Sequence, residues 1–148
     1  MRLTEPECRR RLSAARVAVL GVNDADGSPL AVPVTFAVID RSGHLEVGFA
    51  VDHKPKASTR LRRLDLIARD PQVTLLVHDY DEDWRRLWWV RVDGPAGVLP
   101  AGDDGGRRAA MLAALVETYP QYRERPPAGD VVVVTVERVT GWSGADLA

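Results

Sequence analysis

A cluster of positive charge near the middle of the chain is the part of the sequence best suited to binding a ligand. Residues 52–63 read DHKPKASTRLRR and carry five basic side chains, which are Lys54, Lys56, Arg60, Arg62 and Arg63. The residues that follow have a helical pattern, so the first free amides of that helix, near Ser58 and Thr59, are expected beside the lysines. Backbone amides, hydroxyls and cations at the start of a helix favour a phosphorylated ligand.

A solvated helix surface is the alternative explanation of the same charges. Runs of charged residues are usually exposed, and this interpretation suits Arg62, Arg63 and Arg69. It suits Lys54 and Lys56 less well, because a proline stiffens the loop between them and the preceding strand fixes where they point.

The composition limits the classes of protein to which the chain can belong. At 148 residues and 45% hydrophobic content, the chain is predicted to form a single domain, residues 1–148, with a sizeable core. Twenty Lys and Arg residues against 21 Asp and Glu residues give a net charge of -1, which argues against a nucleic-acid or membrane partner. The first residues are charged, and no apolar run approaches the roughly 20 residues of a membrane span. We therefore expect a cytoplasmic protein.

Few residues are suited to a metal site or a nucleophilic centre. Cys8 is the single cysteine, so no disulfide can form within this sequence and no metal site can be built from cysteines. His44, His53 and His78 are widely separated, and none is assigned as a metal ligand. An enzyme whose cofactor carries the reaction needs neither a metal nor a catalytic triad.

Hydrophobic periodicity predicts three helices and six strands. Helices are expected at 4–15, where Thr4 and Glu7 have the spacing of a capping box, at 57–69 and at 107–119. Strands are expected at 16–22, 29–39, 44–50, 72–80, 87–99 and 130–142. The turn sequences NDADGS and DRSG separate the first three strands and predict an antiparallel meander. Six mainly antiparallel strands favour a small barrel, because closure removes exposed strand edges.

The strand–loop–helix GFAVDHKPKASTRL, residues 48–61, resembles the phosphate-binding element of the pyridoxamine 5'-phosphate oxidase-like split-barrel superfamily. Lys56 stands at the place of the lysine that holds the phosphate of a flavin in that superfamily. Lys54 replaces the usual serine and Ala50 the usual threonine, which favours the actinobacterial branch that uses the deazaflavin coenzyme F420 over one that uses FMN. The order of HKPK and the later LWWVRVDG, residues 87–94, is similar to a probable F420-dependent subfamily.

The resemblance implies a mainly β fold, a six-stranded antiparallel split β-barrel of the FMN-binding type with flanking helices. It also implies a homodimer with the cofactor site at the subunit interface. The cofactor-binding residues that it and the basic cluster indicate are Pro33, Val34, Phe49, Ala50, Val51, Lys54, Lys56, Thr59, Arg60, Arg63 and Trp88.

Several of these residues have an ordinary structural explanation as well. Pro33 and Val34 belong to the strand that runs beneath the tricyclic ring in the superfamily, but a proline in a strand also marks a plain edge or bulge. Phe49, Ala50 and Val51 are suited to offering backbone groups and a flat wall to the ring, and core packing explains Phe49 equally well.

Trp88 and Trp89 are neighbours on one predicted strand and must therefore point to opposite faces of the sheet. Both cannot enter one core, so we expect one of them at a dimer interface, with Trp88 or Trp84 touching the ring of the other subunit. Packing inside the barrel is the alternative.

The function predicted from these features is hydride transfer between F420 and an unknown small organic substrate. An FMN-dependent oxidoreductase of the same fold, and a flavin, F420 or heme binding protein without turnover, are the alternatives. The loops 81–86 and 123–130, DEDWRR and RERPPAGD, are expected to line the substrate site.

Overall fold

The computed structural model describes residues 1–51, 57–103 and 105–147, and for 57–61 the backbone alone. Its helices are α1 (Glu5–Ala14), α2 (Ala57–Arg69), α3 (Arg107–Thr118) and α4 (Pro120–Glu124). Its strands are β1 (Ala18–Asn23), β2 (Pro29–Val34), β3 (Ala37–Arg41), β4 (His44–Ala50), β5 (Gln72–Asp79), β6 (Trp88–Leu99), β7 (Val131–Thr135) and β8 (Arg138–Ser143).

The predicted helices are confirmed, with one addition. The Thr4 side chain caps α1 by accepting a hydrogen bond from the Glu7 amide at 3.4 Å. Helix α2 has the predicted limits. Helix α3 ends one residue early. Pro120, expected only to end that helix, begins the further helix α4, since proline is well tolerated in a first helical turn.

The strands form an antiparallel sheet that is not closed, and the predicted class, a mainly β split barrel with flanking helices, is confirmed. Strand order is β2-β1-β5-β6-β7-β4-β3, with β8 beside β6. The long strand β6 belongs to two sheets, because residues 88–95 pair with β5 while residues 96–99 pair with β7. The two antiparallel pairings of the expected meander are confirmed, since β1 pairs with β2 and β3 pairs with β4, but the two pairs belong to different sheets.

The predicted strand 29–39 is two strands, separated at Thr35 and Phe36. Here the chain leaves one sheet for the other, and the Tyr119 hydroxyl fills the gap in the backbone pairing. It accepts a hydrogen bond from the Phe36 amide at 2.8 Å and lies 2.8 Å from the Phe36 carbonyl and 2.7 Å from the Arg16 carbonyl.

The predicted strand 130–142 is likewise divided, so the described residues form eight strands where six were predicted. At Val136 and Glu137 the pairing with β6 shifts by one residue, as in a β-bulge. The Val136 amide donates to the Leu45 carbonyl at 3.0 Å, and the Glu137 amide donates to the Asp93 carbonyl at 2.8 Å. Gly94 permits this close approach, because a Cβ there would lie 2.0 Å from the Thr135 carbonyl oxygen.

Two apolar clusters form the core. The larger fills the barrel between the sheets and includes Leu12 from α1 and Ile67 from α2. The smaller lies between α3 and the outer face of β3, β4 and β7, around Met111 and Leu115. Among the described residues, no helix is long and apolar enough to cross a membrane.

The opposite sheet has a different outer face. Along β1, β5, β6 and β8 alternate residues are buried, as expected for strands with one face on the core. The residues between them, including Val19, Leu76, Trp89 and Trp142, are only partly buried. In the described part of the chain this outer face is therefore left partly open to solvent.

Candidate functional site

The predicted phosphate-binding element lies between the end of β4 at Ala50 and the start of α2 at Ala57. Lys54 and Lys56 lie outside the described residues. Thr59 and Arg60 belong to the first turn of α2, but their side chains are among those not described, whereas Arg63 in the next turn is partly buried.

The loop before β7 contacts Val51, the residue that precedes the basic segment. The Val51 amide donates to the Asp130 carbonyl at 3.0 Å. The neighbouring Gly129 carbonyl accepts a hydrogen bond from Arg108 Nη2 at 2.7 Å. Arg108 is therefore a further cation at this end of the barrel, and its position depends on a contact between α3 and a distant loop that the sequence pattern does not reveal.

The predicted ring-binding residues occupy different surfaces. Pro33 is exposed on edge strand β2, as a proline in a strand should be, on the open outer face. Val34 and Phe49 are buried in the main core at 8% and 2% exposure. Ala50 packs against the cluster under α3, and Val51 packs against the barrel core. Phe49 can therefore offer a ligand its backbone, while its side chain serves packing.

The two adjacent tryptophans do point to opposite faces. Trp88 packs against the barrel core, and the Arg11 guanidinium lies over its ring at 5.1 Å from the centroid. Trp89 is on the open face, with Arg91 at 5.9 Å from its centroid. Trp84 is 61% exposed in the short 3-10 turn Trp84–Arg86 before β6.

The open face carries a groove of about 540 Å³ along β5, β6 and β8. Strand register explains its lining, because His78 and Trp142 lie directly opposite Trp89 on the two neighbouring strands. In the next row, Leu76 lies opposite Arg91. The remaining lining residues are Thr74, Asp79, Tyr80, Leu87 and Trp88.

One end of the groove is polar and positively charged. Asp93, whose side chain is 15% exposed, accepts a hydrogen bond from Thr74 Oγ1 at 2.6 Å. The Nε atoms of Arg91 and Arg138 each lie 3.3 Å from its other oxygen. Burial alone would raise the pKa of the Asp93 carboxyl, but the Thr74 hydrogen bond and the two arginines outweigh burial and lower it. The carboxylate is therefore ionised at neutral pH and shared by two guanidinium groups.

None of the residues at this polar end was predicted from the sequence to belong to a site. The two-residue period of β6 places Trp89, Arg91 and Asp93 on one face, and that signal was present in the sequence. The contribution of Thr74, Arg138 and Trp142 depends on which strands are neighbours, which the period does not specify.

Comparison with known proteins agrees with this architecture. The sequence matches the pyridoxamine 5'-phosphate oxidase family over residues 4–143. The chain belongs to this family, and the predicted relationship to its split-barrel superfamily is confirmed. No curated protein sequence matches the chain significantly.

Several solved structures share the fold. A conserved hypothetical protein of Mycobacterium tuberculosis is 18% identical, with a TM-score of 0.71, and the match covers 96% of this chain and 86% of that one. An FAD-binding protein of Mesorhizobium loti is 24% identical, with a TM-score of 0.66 and coverage of 95% and 93%. A heme binding protein of Mycobacterium smegmatis is 18% identical, with a TM-score of 0.65 and coverage of 93% and 57%. At these sequence identities the similarity shows a shared fold.

Proposed function

We propose that this protein is an F420-dependent oxidoreductase that transfers hydride between the deazaflavin and a small organic molecule. The observation that carries the proposal is the placement of a segment with two lysines between the end of β4 and the start of α2. When bound, the reduced cofactor supplies a hydride, so that the acceptor gains two electrons, takes a proton from solvent and leaves the cofactor oxidised.

The residues present suit an anionic cofactor. Lys54 and Lys56 precede the N-terminus of α2, where backbone amides and the helix dipole favour a phosphate. Arg63 adds positive charge in the second turn of the same helix, and Arg108 adds it beside Gly129, next to the Asp130 carbonyl that pairs with Val51. An extended anionic tail, as F420 has, would use more of these cations than the single phosphate of FMN.

The open outer face supports a homodimer. Val19, Leu76, Trp89 and Trp142 present apolar surface there. A second copy packed against this face would bury Val19 and place the groove lined by Leu76, Trp89 and Trp142 at the subunit interface, with the groove still able to hold a ligand. Trp89 points outward from this face, so it is better placed than Trp88 to contact a ring held by the partner subunit.

Light scattering over a dilution series tests the dimer. Val19→Glu on the open face should give a monomer, whereas Ala109→Glu, on an exposed position of α3, should leave the dimer intact. A wild-type monomer at micromolar concentration would contradict the assembly.

Parallel titrations with F420 and FMN test the cofactor. We expect F420 to bind more tightly, and protein expressed in a host without F420 to be colourless, whereas a bound flavin would make it yellow. Turnover with a panel of acceptors then separates an enzyme from a cofactor-binding protein.

Lys56→Ala tests the phosphate contact itself. Losing a charge-assisted hydrogen bond should weaken F420 binding by about 1.5–3 kcal/mol, and added salt should weaken binding to the wild type more than to the variant. Arg69→Ala, at the far end of α2, is the matched control. Equal small effects of the two substitutions would show that the basic cluster is a solvated surface.

Heme binding is the second candidate, because one structure of the same fold is described as a heme binding protein and His78 lines the apolar groove. Titration with hemin would show a shifted Soret band, and His78→Ala would abolish the shift if His78 ligates the iron. An unchanged spectrum would remove this candidate.

A further inference from the structure

The groove on the open face is continuous with β2, the strand that the resemblance to the superfamily implies to lie beneath the cofactor ring. Pro33 pairs with Val19, and Val19 pairs with Leu76, which lines the groove. Neighbouring strands are about 4.8 Å apart, so two strand spacings separate Pro33 from Leu76 by about 10 Å. A molecule in the groove would thus lie beside a ring placed over β2.

The shape and chemistry of most of the groove suit a flat apolar molecule. Leu76, Trp89 and Trp142 form its apolar surface, with the two indoles on directly opposed positions of β6 and β8. Small-molecule sites commonly have volumes of about 300–1,000 Å³, and the groove, at about 540 Å³, falls in that range. Aromatic side chains of this kind stack on planar ligands.

Arg91 gives one end of the groove a site for an anion. Its Nε is fixed by Asp93 at 3.3 Å, while in the described residues neither of its terminal nitrogens donates a hydrogen bond. Asp93 is also shared with Arg138, so one carboxylate faces two guanidinium groups and an excess of positive charge remains. An anchored guanidinium with two free terminal groups is suited to bidentate binding of a carboxylate.

We propose that this groove binds the hydride acceptor, and that the acceptor is a planar, apolar molecule bearing a carboxylate. Its role as acceptor rests on the proposed F420-dependent activity, whereas its binding in the groove does not. The carboxylate lies at Arg91, because Asp79 at the other end of the lining would repel it. The flat body of the molecule then lies over Trp89 and Trp142.

The test uses 2-naphthoate as the probe and its uncharged counterpart 2-naphthalenemethanol as the comparison, with NMR of the four tryptophan indole N–H signals as the readout. Single Trp→Phe variants assign the signals. We expect 2-naphthoate to shift the signals of Trp89 and Trp142 and to bind at least about tenfold more tightly than the alcohol, as loss of a charge-assisted contact implies.

Arg91→Gln should remove that tenfold preference and leave binding of the alcohol unchanged, whereas Arg69→Gln, at an exposed position at the end of α2, should change neither. Equal affinity for the two probes, shifts confined to other tryptophans, or the same result for both arginine variants would overturn the proposal. Naphthoate binding without F420 binding would contradict the proposed function and leave the ligand preference of the groove standing. F420 binding without naphthoate binding would contradict the ligand preference and leave the proposed function standing.

Discussion

The Tyr119 hydroxyl holds the corner between β2 and β3, and its removal should measurably destabilise the fold. Tyr119→Phe keeps the ring but deletes the acceptor of the Phe36 amide and the donor that serves the Phe36 or Arg16 carbonyl. Phe36 is 1% exposed, so water has little access to its amide. Burial also raises the pKa of Tyr119, so its hydroxyl keeps its proton at neutral pH.

The magnitude follows from these contacts. An unsatisfied buried donor costs about 1–3 kcal/mol and a lost neutral hydrogen bond about 1 kcal/mol, so we expect a loss of about 2–4 kcal/mol. For a protein of this size, that loss corresponds to a fall in Tm of about 5–15 °C.

Urea denaturation followed by circular dichroism measures the difference, with Tyr80→Phe as the matched control. Tyr80 is 61% exposed, and removal of its hydroxyl should change the free energy of unfolding by less than about 0.5 kcal/mol. If the two variants are equally stable, the hydroxyl of Tyr119 does not determine the corner and the explanation given for the strand break is wrong.

Three further predictions concern stability. Gly94→Ala should cost about 3 kcal/mol of stability or prevent folding, because its Cβ would lie 2.0 Å from the Thr135 carbonyl oxygen. Gly97→Ala on the same strand should be tolerated, because its Cβ would meet nothing within 4 Å. Thermal melts compare the two variants. Glu46 is 7% exposed and accepts hydrogen bonds from Arg41 and Arg107, which lower the pKa of its carboxyl below 4.5 although burial opposes them. The stability that ionised Glu46 gives to the folded protein is therefore present above pH 4.5 and lost as pH falls through the folded-state pKa. In thermal melts from pH 5 to pH 3, the wild type should lose more stability than Glu46→Gln. Equal losses in the two proteins would contradict this prediction. Thr4→Ala should cost about 1 kcal/mol through loss of the α1 cap while F420 affinity stays unchanged, and a matched loss of affinity would place α1 in the cofactor site.

The elements whose signals are local could be predicted from the sequence. Thr4 marks the start of α1, because capping needs only a hydroxyl three residues before an amide. Two turns contain glycines with positive φ, 85° at Gly27 and 88° at Gly43, a conformation that glycine adopts without strain. The limits of α2 follow from its helical pattern and the proline after it.

The site was only partly accessible from the sequence. The order of strand, basic loop and helix was correct, but the opposite faces of Trp88 and Trp89 did not reveal which of them points into the barrel. The tertiary structure decided that, since Val90 and Val92 face the core and Trp89 and Arg91 therefore face outward.

Strand neighbours and strand breaks were decided by the tertiary structure alone. The break at Thr35 depends on Tyr119, 84 residues away from it in the chain, and the bulge at Val136 depends on acceptors in β4 and β6. A two-residue period states which side chains share a face of one strand, but pairing is chosen by contacts between distant segments. For this reason the row of His78, Trp89 and Trp142, and with it the groove, exists only once β5, β6 and β8 have paired.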